Sequence, residues 1–173
     1  GQIGDGTNTD KITPTQIDIN TDWSQIAPGW SYTLAIKADG TLWAWGDNNF
    51  GQLGDGTNTN NNAPIQIGTA TNWQSITAGE GHSAAIKTDG TLWAWGRNHL
   101  GQLGDGTNDD KNVPSQAGTA NNWSVIDAGF YYTIGIKTNN SLWGWGNNNA
   151  GQLGDGTNSD RNIPVPISCG TTL

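Results

Sequence analysis

Gly51-Gln52-Leu53-Gly54-Asp55-Gly56-Thr57-Asn58 is a segment that occurs four times in this chain of 173 residues, starting at residues 1, 51, 101 and 151. Only its third residue changes, because Ile3 of the first copy is leucine in the other three. Each interval is 50 residues long and contains no insertion. A fixed period of this length is typical of tandem arrays, in which each repeat buries its apolar face against its neighbours.

Other residues also recur at the same position of every repeat, and we call each set of equivalent positions a column. Every complete repeat ends on Leu-Trp-x-Trp-Gly, starting at residues 42, 92 and 142, and prolines align at 14, 64, 114 and 164. The tail after Ile167 leaves the pattern and contains Cys169, the single cysteine, so that no disulfide within the chain is expected. We therefore divide the chain into repeats 1–50, 51–100 and 101–150, a partial repeat 151–167, and a C-terminal linker 168–173.

Each repeat is predicted to form four short β-strands. In the second repeat these are a run around Ile65, then Trp73–Ala78, Ser83–Lys87 and Thr91–Trp95. The pair Asp89-Gly90 favours a tight hairpin between the last two strands, because glycine adopts positive φ at little cost. Helical periodicity is absent. Four strands per repeat predict an all-β fold of β-propeller blades, four-stranded antiparallel sheets that form a partial propeller of about three and a half repeats.

Residues 79–107 contain Gly79-x-x-His82-x-x-Ala85-x-Lys87-x-x-Gly90-x-Leu92-Trp93-x-Trp95-Gly96, followed by Asn98-x-x-Gly101-Gln102-Leu103-Gly104-Asp105-Gly106-Thr107. This pattern resembles the repeats of the regulator of chromosome condensation family. The resemblance implies a seven-bladed propeller. The family includes an exchange factor for a small GTPase, plant photoreceptors, a secreted inhibitor of β-lactamases and bacterial surface proteins. The near-identical, asparagine-rich repeats look most like those of the bacterial secreted members, which implies a secreted or cell-surface protein.

Seven blades of this repeat would need about 350 residues. The chain is therefore expected to be a fragment of a longer propeller, to self-associate with a second copy that completes the ring, or to be completed by another segment. The departure of the tail from the pattern favours missing blades before Gly1. On that interpretation, residues 151–167 supply a strand that latches a blade begun elsewhere.

The amino-acid composition excludes several classes of binding partner. The formal net charge is −8, and seven lysines and arginines are spread over the chain. A nucleic-acid-binding surface needs a basic patch, so DNA or RNA binding is not expected. No apolar run approaches the 18 residues or so that a membrane helix requires, so no membrane insertion is expected. No cofactor is predicted.

Two regions differ between the otherwise similar repeats. Both follow a glycine at a predicted strand end, which places them on loops at the ends of the blades, and loops on a rigid frame commonly carry binding function. The alternative is drift at unconstrained surface sites. The candidate binding residues are Trp30, Tyr32, Glu80, His82, Phe130, Tyr131 and Tyr132 in the first region, and Phe50, Arg97 and His99 in the second.

Catalysis and metal binding have little support in the sequence. Glu80 and His82 could form an acid–base pair, but the same columns hold aromatic residues in the first and third repeats. Asp105, Asp109 and Asp110 offer oxygen ligands for calcium, although their spacing does not match a calcium loop and a repeated structural turn explains them better. We therefore expect no enzyme, but a binding scaffold for a protein or glycan. The alternatives are a structural spacer and an exchange-factor-like propeller.

Overall fold

The computed structural model describes residues 1–19 and 21–168, which form three four-stranded antiparallel sheets. The predicted linker, apart from Ser168, lies outside the described residues. The first sheet contains β1 (Trp23–Pro28), β2 (Tyr32–Lys37), β3 (Leu42–Gly46) and β4 (Asn61–Gln66). The second contains β5 (Trp73–Ala78), β6 (His82–Lys87), β7 (Leu92–Gly96) and β8 (Lys111–Gln116). The third contains β9 (Trp123–Ala128), β10 (Tyr132–Lys137), β11 (Leu142–Gly146) and β12 (Arg161–Pro166).

The structural blade is shifted relative to the sequence repeat. Each sheet takes its fourth strand from beyond the Gly-Gln-Leu-Gly-Asp-Gly-Thr loop, so the blades span residues 23–66, 73–116 and 123–166. We call them blades 1, 2 and 3. The strand β12 pairs with β11 of its own sheet. The prediction that residues 151–167 latch a blade begun elsewhere is therefore wrong.

Local sequence explains where the strands lie and turn. Pro64 lies within β4, which is an edge strand and tolerates a residue that has no N–H to donate. Gly90 has a φ of +78° in the hairpin between β6 and β7, and a Cβ atom there would lie 2.2 Å from the carbonyl oxygen of Asn121. In blade 3 the same position is Asn140, which adopts a φ of 64°. This agrees with the tolerance of asparagine for the left-handed region.

The apolar core lies between blades rather than within one. One cluster joins β2 and β3 of blade 1 to Trp73, Ile76 and Trp95 of blade 2, and a second cluster repeats this arrangement between blades 2 and 3. Trp95 and Trp145 are fully buried in these clusters. The pairs Trp93 with Trp95 and Trp143 with Trp145 therefore fill the wedges between neighbouring blades. Within blade 2, Trp73 lies edge-on to Trp93 with ring centroids 6.0 Å apart.

The described part of the chain contains no helix long and apolar enough to cross a membrane.

Candidate functional site

The two variable regions lie at the same end of the blades. In an antiparallel meander, the connection between strands one and two and the connection between strands three and four fall on one side. Residues 29–31 and 47–60 make these connections in blade 1, and the equivalent residues do so in blades 2 and 3. The variable residues are thus gathered on one surface, which we call the loop end.

Trp30 and Phe130 meet at the loop end. Trp30 is 71% exposed and Phe130 is 47% exposed, and their rings pack edge to face with centroids 5.5 Å apart. They come from blades 1 and 3. The loop of blade 2 joins them through its main chain, because the N–H of Trp30 donates to the carbonyl of Gly79 and the N–H of Glu80 donates to the carbonyl of Phe130. Two aromatic rings a hundred residues apart in sequence therefore form one exposed contact surface.

Arg97 extends this surface toward the blade edge. Its Nη1 lies 3.1 Å from Oε2 of Glu80, and its guanidinium stacks 4.4 Å from the ring centroid of Phe50 and 5.2 Å from that of Tyr131. The aromatic contacts continue from Tyr131 to Phe130 at 4.6 Å and to His99 at 5.6 Å. We define the aromatic–arginine patch as Trp30, Phe50, Glu80, Arg97, His99, Phe130 and Tyr131.

Tyr32 and His82 do not belong to this surface. Each is the first residue of the second strand of its blade and is fully buried between blades, so the prediction that they lie on exposed loops is wrong. The hydroxyl of Tyr32 donates to the carbonyl of His82 and lies 3.0 Å from Ser83 Oγ. Tyr132 occupies the same column of blade 3 and is half-buried, because no described blade follows it. This column is a packing position.

The burial of His82 determines its hydrogen bonds and its protonation state. Its Nε2 lies 3.0 Å from Thr133 Oγ1, and its Nδ1 has no hydrogen-bond partner among the described residues. Desolvation lowers the pKa of His82 to about 4, so the ring is neutral at pH 7. The carboxylate of Glu80 pairs with Arg97 instead. The structure therefore does not assemble the acid–base pair that the sequence offered.

We expect His82 to make stability depend on pH. The folded state holds the ring uncharged down to about pH 4, whereas an unfolded histidine binds a proton below about pH 6.5. The contribution of the neutral His82 ring to the free energy of unfolding is thus fully present above pH 6.5. This contribution falls as the pH is lowered toward 4, by about 2 kcal/mol at pH 4.5. Urea unfolding of the wild type and of His82→Tyr, measured between pH 4.5 and 7, should show a pH dependence that is weaker in the variant by this amount.

His82→Tyr is a conservative choice because tyrosine occupies this column in blades 1 and 3. His99→Gln provides the comparison, since desolvation and the nearby Arg97 lower the pKa of this exposed histidine less than burial lowers that of His82, so its removal should weaken the pH dependence by less. An unchanged pH dependence in His82→Tyr would show that His82 is not the group responsible.

Two of the three candidate calcium ligands, Asp105 and Asp110, accept hydrogen bonds from the protein itself. Oδ1 of Asp105 accepts from the N–H and hydroxyl of Thr107 and from Asn98 Nδ2, and Oδ1 of Asp110 accepts from the N–H of Asn98 at 2.7 Å. The side chain of Asp109 has no such role, although its carbonyl accepts from Asn98 Nδ2. Across residues 1–19 and 21–168, no group of three or more histidine, cysteine or acidic residues could hold a metal ion. The loop is a structural turn.

Asn98 is the centre of this turn, a role that the sequence analysis did not assign to it. Asn48 and Asn148 play the same part in blades 1 and 3, and all three are fully buried. The sequence did contain a signal for this role. These asparagines occupy the one position that stays constant within a stretch that otherwise differs between repeats. The frame of the loop end thus depends on a buried asparagine in every blade.

Comparisons with known proteins agree with this architecture. A family model described as the regulator of chromosome condensation (RCC1) repeat matches residues 39–86, 89–136 and 139–171. A second model of the same repeat matches residues 23–52, 73–102 and 124–152. Among curated proteins, the ultraviolet-B receptor UVR8 of Arabidopsis thaliana is 42% identical over 53 residues, which are 30% of this chain and 12% of that protein.

Solved structures show the same fold. Prp20p from Saccharomyces cerevisiae, described with its binding to Gsp1p and histones, superposes with a TM-score of 0.79 at 24% identity, over 87% of this chain and 39% of that one. Human WBSCR16 gives a TM-score of 0.74 at 26% identity, over 84% and 39%. The chain thus spans about two fifths of these structures and a smaller share of the curated relative. The prediction of all-β propeller blades is confirmed.

Proposed function

Because the chain belongs to the regulator of chromosome condensation repeat family, we propose that it is a non-catalytic propeller scaffold whose aromatic–arginine patch binds a protein partner. The observation that carries the proposal is the exposed pair of Trp30 and Phe130, which are brought together from blades 1 and 3. Single exposed aromatic residues are common on protein surfaces, whereas a contiguous apolar cluster with a polar rim is characteristic of interaction sites.

The patch also has the composition of an energetic centre in a protein interface. Tryptophan, tyrosine and arginine are the residues most enriched among binding hot spots. Arg97 is already ordered by Glu80, Phe50 and Tyr131, so little side-chain entropy remains to be lost when a partner binds. Peptide carbonyls and aromatic side chains of a partner would complement these groups, and for this reason we favour a protein over a glycan.

The test is a selection of random peptides on the intact chain, run beside a glycan array. Selected peptides are expected to bind at least tenfold more weakly to Trp30→Ala and to Phe130→Ala, since a hot-spot side chain contributes more than about 1.4 kcal/mol. Val113→Ala and Ile163→Ala are matched controls, because both residues are about as exposed as Phe130 but lie on the edge strands β8 and β12. These controls should bind like the wild type.

Three results would contradict the proposal in whole or in part. Peptides that bind equally well to the patch variants would place recognition elsewhere on the molecule. A selection that enriches no peptide, together with a blank glycan array, would favour the structural spacer. Recognition of glycans alone, lost in the same patch variants, would keep the site but replace the partner class.

We further propose that the scaffold works outside a bacterial cell. The support for this is the near identity of the repeats and their low content of charged residues, 13% of the chain. Antibodies raised against the chain should then label intact cells of the source organism or its culture medium. Labelling that requires permeabilised cells would contradict an extracellular location.

A further inference from the structure

A small cavity opens at the loop end, where loops of the three blades lie side by side. It has a volume of about 280 Å³, and each blade lines it with the last residue of its first strand and the two residues that follow. The first two of these positions hold proline, alanine or glycine in every blade. The third position holds Trp30, Glu80 and Phe130, so the blades bring two aromatic rings and one carboxylate to the same opening.

The glycines of the cavity keep the three loops close together. A Cβ atom on Gly29 would lie 2.9 Å from the carbonyl oxygen of Gly79, and one on Gly79 would lie 2.7 Å from that of Gly129. A larger residue would therefore separate the loops and the side chains that follow the glycines. The N–H group of each of these glycines donates to the carbonyl of the residue three positions later, so it does not offer a positive dipole to a ligand in the cavity.

Trp30 and Phe130 supply two aromatic walls. Their rings are inclined at 78° with centroids 5.5 Å apart, so each ring keeps at least one face free of the other. The face of an aromatic ring attracts cations, and tryptophan does so most strongly. A ligand can reach the indole of Trp30, because this residue is largely exposed. These two walls therefore favour a positively charged ligand.

Glu80 supplies a negative charge beside the rings. Within residues 1–19 and 21–168, it is the one residue with a charged side chain that lines the cavity. Its Oε2 pairs with Arg97 Nη1, whereas the hydrogen bonds of the described residues leave its Oε1 without a donor. One carboxylate oxygen thus remains for a cationic ligand. The net charge of −8 over the whole chain attracts such a ligand further.

The cavity fits a methylated ammonium group better than an unmodified one. A lysine ammonium carries three N–H groups that need acceptors. In the part of the chain that the structure describes, Glu80 is the one lining side chain that can accept a hydrogen bond. The carbonyls of Gly79 and Phe130 already accept from the N–H groups of Trp30 and Glu80. A trimethylated ammonium carries the charge without any N–H, so aromatic faces and one carboxylate are sufficient for it.

We infer that this cavity binds the trimethylated side chain of a lysine on the protein partner, an inference that rests on the protein-binding function proposed above. The faces of Trp30 and Phe130 contact the methyl groups, and Glu80 balances the charge. The rest of the aromatic–arginine patch contacts the residues that flank this lysine. Glu80 thus selects for charge in addition to ordering Arg97.

The test compares three short peptides that differ at one side chain. One carries trimethyllysine, the second carries unmodified lysine, and the third carries a neutral isostere in which a tert-butyl group replaces the trimethylammonium group. Calorimetric titration measures their binding to the intact chain, and choline is titrated as a free quaternary ammonium compound. We expect the trimethyllysine peptide to bind at least about tenfold more tightly than either of the other peptides and than choline.

Two variants test the walls of the cavity. Glu80→Gln keeps the shape of the side chain and removes its charge, and Trp30→Leu removes the indole face. Each is expected to reduce the preference for trimethyllysine over the neutral isostere at least about fivefold. Asp47→Asn is the matched control, because it removes a negative charge from the loop end at a residue that does not line the cavity. Blade 3 has Asn147 at this position, and the preference should stay within about twofold of the wild type.

Equal binding of the trimethyllysine peptide and its neutral isostere to the wild type would overturn the inference, and this comparison does not depend on the folding of any variant. Choline that binds as tightly as the peptide would replace the protein side chain with a free quaternary ammonium compound. If randomly selected peptides depend on Trp30 and Phe130 but trimethyllysine gives no preference, the protein-binding function stands and this inference alone fails. If neither kind of peptide binds, both fail.

Discussion

Replacing Trp95 with alanine is expected to lower the free energy of unfolding by about 4 kcal/mol. Trp95 is fully buried in the cluster between blades 1 and 2, and its Nε1 donates to the carbonyl of Gln52. The substitution removes a large apolar contact area, leaves a cavity and breaks a buried hydrogen bond. The carbonyl of Gln52 keeps one donor, Ser83 Oγ at 2.7 Å, which limits the loss. Urea unfolding followed by circular dichroism measures the change.

Trp30→Ala is the matched control, because it removes the same side chain from a site that is 71% exposed. We expect it to cost less than about 1 kcal/mol, since little surface is returned to water. Losses of similar size in the two variants would mean that Trp95 does not hold the blades together as described. The control also establishes that a binding defect of Trp30→Ala does not come from unfolding.

Asn98→Ala is expected to cost about 3 kcal/mol and to loosen the loop over residues 98–110. The side chain is fully buried, its Nδ2 donates to the carbonyls of Thr107 and Asp109, and its Oδ1 accepts from the N–H of Leu103 at 2.9 Å. Alanine leaves these main-chain groups without their partner in a place that excludes water, and each unpaired buried group costs about 1–3 kcal/mol. Urea unfolding gives the energy, and hydrogen exchange locates the loosened segment.

Asn108→Ala tests whether the effect is specific. Asn108 lies in the same loop and its Nδ2 donates to the carbonyl of His99 at 3.1 Å, but it is exposed, so water replaces the lost bond. A cost below about 1 kcal/mol is expected. If Asn98→Ala costs no more than this, the buried asparagine is not the anchor of the turn.

Most of the fold could be predicted from local pattern and period. The predicted strand Trp73–Ala78 agrees with β5 in both bounds, and Ser83–Lys87 lacks only the first residue of β6. These elements follow from apolar runs bounded by glycine. The residue at which each blade begins could not be predicted in the same way. A sequence repeat can be divided at any point, and only strand pairing decides which four strands form one sheet. That pairing is a tertiary property.

The candidate site was predictable at the level of loops but not of contacts. The glycines at the strand ends placed Trp30 and Arg97 on connections, where the structure has them. The approach of Trp30 to Phe130 depends on how three blades are arranged around one centre, and no local pattern encodes it. Tyr32 and His82 were misplaced because their variation suggested exposure. This position between blades accepts tyrosine or histidine, because the neighbouring blade places a small hydroxyl side chain beside the ring. Ser83 lies beside Tyr32, and Thr133 lies beside His82.

The loop that each blade lays across its successor has a consequence for how the array comes apart. The main-chain carbonyl of Gln52 in the loop after blade 1 accepts a hydrogen bond from Trp95 Nε1 of blade 2, and the two blades share one apolar cluster. Unfolding of either blade therefore removes a hydrogen-bond partner and apolar contacts from the other. A blade in the middle thus has no route to unfold alone. Leu142 of blade 3 is partly exposed, whereas the equivalent Leu92 of blade 2 is fully buried against blade 3. A protease is therefore expected to cut blade 2 only after blade 1 or blade 3 has opened.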